Sequence, residues 1–251
     1  MSDAAQLEAN AREIVASAAE RGLLLRLLGG LAVRLQSPSA LHRVLARSYP
    51  DLDFVFAGRR PGEVEALLSN LGYQPNQTFN LLNGDRRLLF YEESGERQVD
   101  IFVNTFHMCH TIPMDPERLT LEPLTLPVTE LLLTKLQIVE LNEKDMRDLC
   151  ALVLDHPFGE GDEDTFNLPY LTSLTASDWG LWKTLTMNAK RVQAFAADSA
   201  LETRQKAIVR ERLDHFRQAQ ATVPKSLKWK IRARIGERVR WYDLPEEVER
   251  G

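Results

Sequence analysis

Cysteine is almost missing from this chain: Cys109 and Cys150 are the only two in 251 residues. Two thiols cannot build a disulfide framework, so a cross-linked extracellular scaffold is excluded, and reduced thiols in a reducing compartment are the simpler reading. Long apolar runs are missing as well. No stretch approaches the roughly 18 residues that a membrane helix requires, and the opening Met-Ser-Asp-Ala-Ala-Gln-Leu-Glu lacks the basic and apolar regions of a secretory leader. The expectation is a cytoplasmic protein with no membrane partner. There is no internal repeat and no low-complexity tract, which excludes solenoids and tandem arrays. A large positive charge is absent too: the formal charge of −5 argues against a surface wholly covered by nucleic acid. Finally, His107-Met108-Cys109-His110 has no companion. A structural zinc site needs four ligands, commonly in spaced pairs from two segments, and no second Cys/His cluster exists to supply them. A role for this segment would lie instead beside a substrate pocket just after the Asp100 strand, with His107 or His110 touching substrate.

What is present is enough apolar material, 44% of residues, to bury a core in one large domain or two modest ones. Asp3 to Arg21 is rich in Ala, Glu and Leu, follows a Ser2 that can cap it and stops at Gly22, as a helix does. Leu23 to Leu28 is a short apolar run that reads as a buried strand; Gly29-Gly30 ends it, and Leu31 to Leu35 opens a helix. Asp51-Leu52-Asp53-Phe54-Val55-Phe56 alternates strictly, which predicts a half-buried strand with Asp51, Asp53 and Val55 on one face. A helix follows from Pro61, with proline in its first turn and Gly72 beyond its end. Phe79 to Leu82 and Arg87 to Tyr91 flank Asn83-Gly84, which predicts a hairpin. Gln98 to Val103 is a further strand.

After Pro127 the pattern turns helical, with stretches at Val128 to Glu140, Glu143 to Leu154, Asp178 to Ala196 and Leu201 to Gln218. The fold class is therefore α/β in the α+β sense: a small mixed sheet with flanking helices over residues 1–126, then a mainly helical domain over 127–251 with a basic C-terminal segment. That segment, Pro224 to Trp241, holds seven Lys or Arg residues against Glu237 alone. It reads as a solvated helix face, and its interleaved Trp229 and Trp241 leave open an RNA-binding surface that contacts phosphates and stacks bases.

The chemistry concentrates in the first domain. Carboxylates at i and i+2 of a strand point the same way, their Cα atoms about 6.6 Å apart. Like charges held together have a natural purpose in binding Mg²⁺, a hard cation that takes one or two carboxylates together with substrate phosphates. Asp100, flanked by Val99 and Ile101 that point to the opposite face, is the third carboxylate such a site would use. Gly29-Gly30, after a strand and before a helix, lets the backbone approach a phosphate while the helix start offers its N–H groups; by itself the pair would read as an ordinary turn.

The glycine pair after an apolar strand, the Asp51-Leu52-Asp53 motif and the later strand carrying Asp100 together resemble the nucleotidyltransferase superfamily that includes DNA polymerase β and the aminoglycoside nucleotidyltransferases. Gly29-Gly30-Leu31-Ala32-Val33, Arg47, Lys135 and Arg147-Asp148-Leu149 resemble its abortive-infection-type group, which includes toxins of toxin–antitoxin pairs. The resemblance covers roughly residues 23–155. Twenty residues separate Gly30 from Asp51, more than that pattern usually shows, and a helical turn around Leu41 to Ala46 would fill the excess.

The resemblance implies an active site in which Asp51, Asp53 and Asp100 hold Mg²⁺ or Mn²⁺, with Asp100 also receiving the acceptor's proton. Gly29, Gly30, Arg47, Lys135 and Asp148 would serve the nucleotide. It further implies an NTP substrate, an acceptor that is a small hydroxylated molecule, a tRNA or a protein, an antitoxin as partner, and reaction in a cleft between the two domains. Read on their own, Lys135 could be a lysine snorkelling from a buried helix, Asp148 a helix-surface charge, and Arg47 a partner of an aspartate rather than of a phosphate. A non-catalytic nucleotide- or RNA-binding module with the same fold is the alternative function.

Overall fold

The computed structural model describes residues 3–92 and 97–244; the expected cap at Ser2 lies outside the described residues. The chain forms two compact units. The first comprises Met1–Leu35, Arg47–Phe106 and Ile112–Pro127, and the second Gln36–Ala46, His107–Thr111 and Val128–Gly251.

The first unit is built on a mixed sheet of β1 (Leu24–Leu28), β2 (Leu52–Ala57), β3 (Gln74–Pro75), β4 (Arg87–Tyr91) and β5 (Gln98–Val103), in the order β1-β2-β5-β4-β3. Only β2 and β5 run parallel; the other neighbours are antiparallel. Its helices are α1 (Asp3–Glu20), α2 (Gly29–Gln36), α3 (Pro61–Asn70), α4 (Gln77–Asn83) and the single turn α5 (Pro116–Leu119). The buried stripe of α1, Leu7, Ala11, Ile14 and Ala18 at three- and four-residue spacing, packs on β1 and α3. Short strands β6 (Thr105–His107) and β7 (Thr111–Pro113) follow β5.

The mixed sheet with flanking helices and the helical second half are those the sequence predicts, with two local corrections. Phe79 to Leu82 is not a strand and Asn83-Gly84 is not a hairpin turn. Asn76 accepts a hydrogen bond from the Phe79 amide and starts α4, and Gly84 closes it through its N–H to the Asn80 carbonyl. The Asn80 side chain, buried inside, accepts from the Leu89 amide at 2.7 Å and ties the helix to β4. A helix cap three residues before Phe79 thus overrides the turn propensity of Asn-Gly. The second correction concerns β2, which is buried on both faces beyond Asp53: Val55 on the acidic face is as inaccessible as Phe54.

The second unit contains α6 (Val128–Leu136), α7 (Glu143–Asp155), α8 (Leu168–Ser177), α9 (Trp179–Asp198), α10 (Thr203–Thr222) and α11 (Leu227–Ile235). The two-residue strands β8 (Phe158–Gly159) and β9 (Phe166–Asn167) pair in parallel. Helix α7 packs on α6, α9 and α10. It begins in a reciprocal capping box between Asn142 and Asp145. Carbonyls at the end of α6 and just beyond it find partners on α9: Asn188 Nδ2 donates to Leu136 O at 2.8 Å and Ile138 O at 2.6 Å. In the stretch between Gly30 and Asp51, the excess residues form a 3₁₀ turn at Pro38–Leu41, anchored by Ser39 donating to Asp155, and they belong to the second unit.

Candidate active site

The acidic face of the sheet follows from strand register. Asp53 of β2 stands level with Leu28 of β1 on one side and Asp100 of β5 on the other. Residues level with one another across a ladder share a face, so Asp53 and Asp100 project side by side. Asp51 stands one residue ahead of β2 and is partly exposed. Because β1 is antiparallel to β2, its last residue reaches the row of the two aspartates, and α2 starts there with no intervening loop.

Glycine is required at that junction. Gly29 has φ +74°, a left-handed conformation that side chains resist, and a β-carbon on it would lie 2.2 Å from Asp53 Oδ2. The missing side chain is therefore what allows the Asp53 carboxylate to rest on the strand–helix turn. Gly30 does the same for a cation. A β-carbon there would fall 1.7 Å from Arg47 Nη2, so the guanidinium lies directly on the backbone of the first helical turn. Arg47 is held in place by its Nη1 donating to Ser48 O at 2.9 Å and by the Tyr49 ring, 4.6 Å from its Cζ. The structure thus brings Gly29, Gly30, Arg47, Asp53 and Asp100 to one end of one sheet face.

A residue the sequence did not single out completes this face. Arg87, on β4, grips Asp100 with both arms of its guanidinium: Nε donates to Oδ1 at 2.8 Å and Nη2 to Oδ2. Its Cζ sits 5.0 Å from the Phe102 ring and 5.9 Å from that of Phe79 on α4. Nothing local marks Arg87, since its pairing depends on which residue of β5 lies beside it. The one available signal is the polar end of an otherwise apolar strand, Arg-Leu-Leu-Phe-Tyr.

Lys135 and Asp148 belong to the second unit and pair with each other. Lys135 Nζ is 2.9 Å from Asp148 Oδ2 and 2.9 Å from Asp145 Oδ1, with all three side chains nearly inaccessible. Burial alone would pull the lysine pKa down, but Asp148 and Asp145 outweigh it and hold the ammonium above its ordinary value. Arg147 instead bridges Glu143 and the Ala46 carbonyl.

The His107–His110 segment does not form a metal centre. His107 is exposed, with Nδ1 2.7 Å from Thr111 Oγ1, whereas His110 is buried with Nε2 2.8 Å from Thr184 Oγ1 and its amide donating to Gln137. Burial depresses the His110 pKa below 6.5, ahead of the opposing influence of Asp178 and Asp243. In this case the unfolded chain takes up a proton that the folded chain refuses. The stability contribution is therefore complete above pH 6.5 and is lost as pH falls below it. Urea midpoints measured between pH 7 and 5 are expected to fall less in His110→Gln than in wild type; identical slopes would rule out this histidine as the acid-sensitive group.

Among the described residues, no three His, Cys, Asp or Glu side chains converge as a metal-holding group. The in-register pair of Asp53 and Asp100 nevertheless fits Mg²⁺, which takes as few as one or two carboxylates and completes its shell with water and phosphate oxygens. In this structure both oxygens of Asp100 are engaged by Arg87.

No protein-family model and no curated protein matches the chain. Among solved structures it is similar to the antibiotic-resistance factor ANT(2'')-Ia, whose solution structure reveals substrate-regulated conformation dynamics. The likeness is at 17% identity and a TM-score of 0.42, covering 68% of this chain and 95% of that one.

Proposed function

We propose that this chain is a divalent-metal-dependent nucleotidyltransferase that moves a nucleoside monophosphate from an NTP to a hydroxyl acceptor. The observation that supports it is the acidic pair Asp53 and Asp100, side by side on parallel strands, with the glycine turn of β1–α2 seated against the Asp53 carboxylate. Bound Mg²⁺ or Mn²⁺ would supply charge neutralisation for the triphosphate and a lowered barrier for the attacking oxygen.

The chain's own groups do the rest. Asp51 and Asp53 would hold the ion, and the first N–H groups of α2 and the Arg47 guanidinium meet phosphate oxygens over the two glycines. Asp100 takes the proton of the acceptor hydroxyl as its oxygen bonds to the α-phosphorus. The bond from that phosphorus to the bridging oxygen breaks, and pyrophosphate leaves with the electron pair. Arg87 positions Asp100 before the substrate arrives. Lys135 and Asp148 are assigned to the nucleotide pocket on the same reading.

A second reading, a nucleotide-binding module without catalysis, is favoured by one observation: Arg87 already neutralises Asp100. Turnover separates the two. Incubation with each α-labelled NTP and Mg²⁺ or Mn²⁺, with and without total tRNA and a panel of hydroxylated small molecules, is expected to release pyrophosphate and label one acceptor class. Labelled RNA would place the chain with the toxin-like relatives that its sequence resembles. Metal-dependent nucleotide binding with no pyrophosphate from any combination would instead establish the non-catalytic module.

A further inference from the structure

The most basic part of the chain also leaves apolar surface open. On α11, Leu227, Ile231 and Ile235 recur every fourth residue and are 74%, 54% and 42% exposed. Together with Trp229 of the same helix they line a cavity of about 550 Å³ that Trp179 and Trp241 close from the other side. That size is typical of a site that receives a ligand or an anchoring side chain.

The cavity is held by fixed contacts. Trp241 Nε1 donates to Thr184 Oγ1 at 3.0 Å, and a β-carbon on Gly180 would sit 2.7 Å from the Trp241 carbonyl, so the backbone after α11 lies tight on the start of α9. Arg232 donates to Gly236 O and Val239 O, each at 2.7 Å, and covers the Trp179 ring at 4.7 Å. Ser226 caps α11 by accepting from the Trp229 amide. An apolar hollow of this kind does not need to be created by its occupant.

Charge selects the occupant. Lys228, Lys230, Arg234, Arg238 and Arg240 are exposed on α11 and the turn after it, and Glu237 is the one acid between Pro224 and Trp241. Asp178 reaches the cavity edge, where its carboxylate is already used as the cap of α9, accepting from the Leu181 amide. An exposed aliphatic row has nothing to offer a phosphate, and the indole rings are turned on one another, Trp229 against Trp182 at 5.2 Å and Trp241 against Trp179 at 6.0 Å. Stacking on single-stranded RNA is disfavoured by both facts. A membrane surface is disfavoured by shape: apolar and basic residues alternate along Leu227 to Arg232, which leaves a narrow stripe beside a hollow rather than a broad apolar face.

We propose that the tryptophan-lined groove of α11 docks an acidic amphipathic segment of a partner protein. One or two large apolar side chains of the partner enter the cavity, and carboxylates flanking them meet Lys228, Lys230 and Arg234. The anchoring follows the usual pattern of an aromatic-lined pocket inside a charged rim.

The test uses the full chain as bait for a random 12-residue peptide library displayed on phage, followed by anisotropy titration of the enriched peptides. Enriched peptides are expected to carry net negative charge and at least one Phe, Leu, Ile or Trp. Their binding is expected to weaken at high salt and to drop tenfold or more with Ile231→Glu, a change on an exposed position whose folding circular dichroism verifies. The charge-reversal variant Lys228→Glu/Arg234→Glu should lose the same peptides, and Asp53→Asn should keep them. Enrichment of basic or neutral peptides, absence of enrichment, or equal binding by Ile231→Glu overturns the proposal. So does tighter binding of a labelled uridine 20-mer or of phosphatidylglycerol vesicles than of any peptide.

Discussion

Asp53→Asn is expected to reduce nucleotidyl transfer by about a thousandfold, the rate equivalent of the several kcal/mol that metal-assisted charge stabilisation supplies to phosphoryl transfer. The substitution keeps the shape of the side chain that rests on Gly29, so the turn has no steric reason to move. It removes one of two carboxylates that stand level on neighbouring strands. Transfer should therefore collapse while circular dichroism shows the fold retained. Gly29→Ala is the informative companion, since it loses transfer through a different cause: a left-handed backbone at +74° and a β-carbon in contact with Asp53. Its urea midpoint should fall. Pyrophosphate release from both variants, circular dichroism of Asp53→Asn and urea titration of Gly29→Ala check this. Undiminished transfer in Asp53→Asn would remove Asp53 from the metal site and with it the catalytic reading.

The outcome depends on features that differ in how plainly the sequence displays them. Alternation in Leu52 to Phe56 and Gln98 to Val103 puts each aspartate on a strand, because a period of two is a local property. That the two strands are adjacent, parallel and in register at Asp53 and Asp100 is a long-range fact, and no residue within either segment encodes it. Arg87 is hidden for the same reason. The Asn83-Gly84 turn shows the opposite failure, in which a strong local signal loses to a nearby cap at Asn76 and to the buried Asn80 amide. The excess between Gly30 and Asp51 is legible as an excess, but its destination in the second unit depends on Ser39 meeting Asp155, 116 residues away. In the basic C-terminal stretch, composition shows charge and tryptophan; the cavity appears only when α9 and α11 are brought together.

Lys135→Met tests whether a buried lysine serves the fold, the nucleotide or both. Removing the ammonium leaves Asp145 and Asp148, one helical turn apart on α7, without the cation that both contact at 2.9 Å. Truncating one partner of a buried ion pair costs about 3–5 kcal/mol, mostly through the charge left behind. Held above its ordinary value of 10.5, Lys135 makes its full contribution at every pH below 10.5 and loses it only as pH rises through the folded-state value. A pH between 6 and 9 therefore exposes the whole deficit. Asp148→Asn alone should cost less, because the lysine keeps Asp145. The double variant Lys135→Met/Asp148→Asn is expected to recover part of the lost stability, since one buried charge goes with its partner. Nucleotide affinity, compared with that of Asp148→Asn alone, then discriminates, because the double variant differs from that single variant only in lacking the Lys135 cation. If Lys135 reaches phosphate, affinity stays low when the urea midpoint has recovered. If affinity returns together with the midpoint, the lysine acts through the fold alone, and the phosphate contacts fall to Arg47 and the glycine turn.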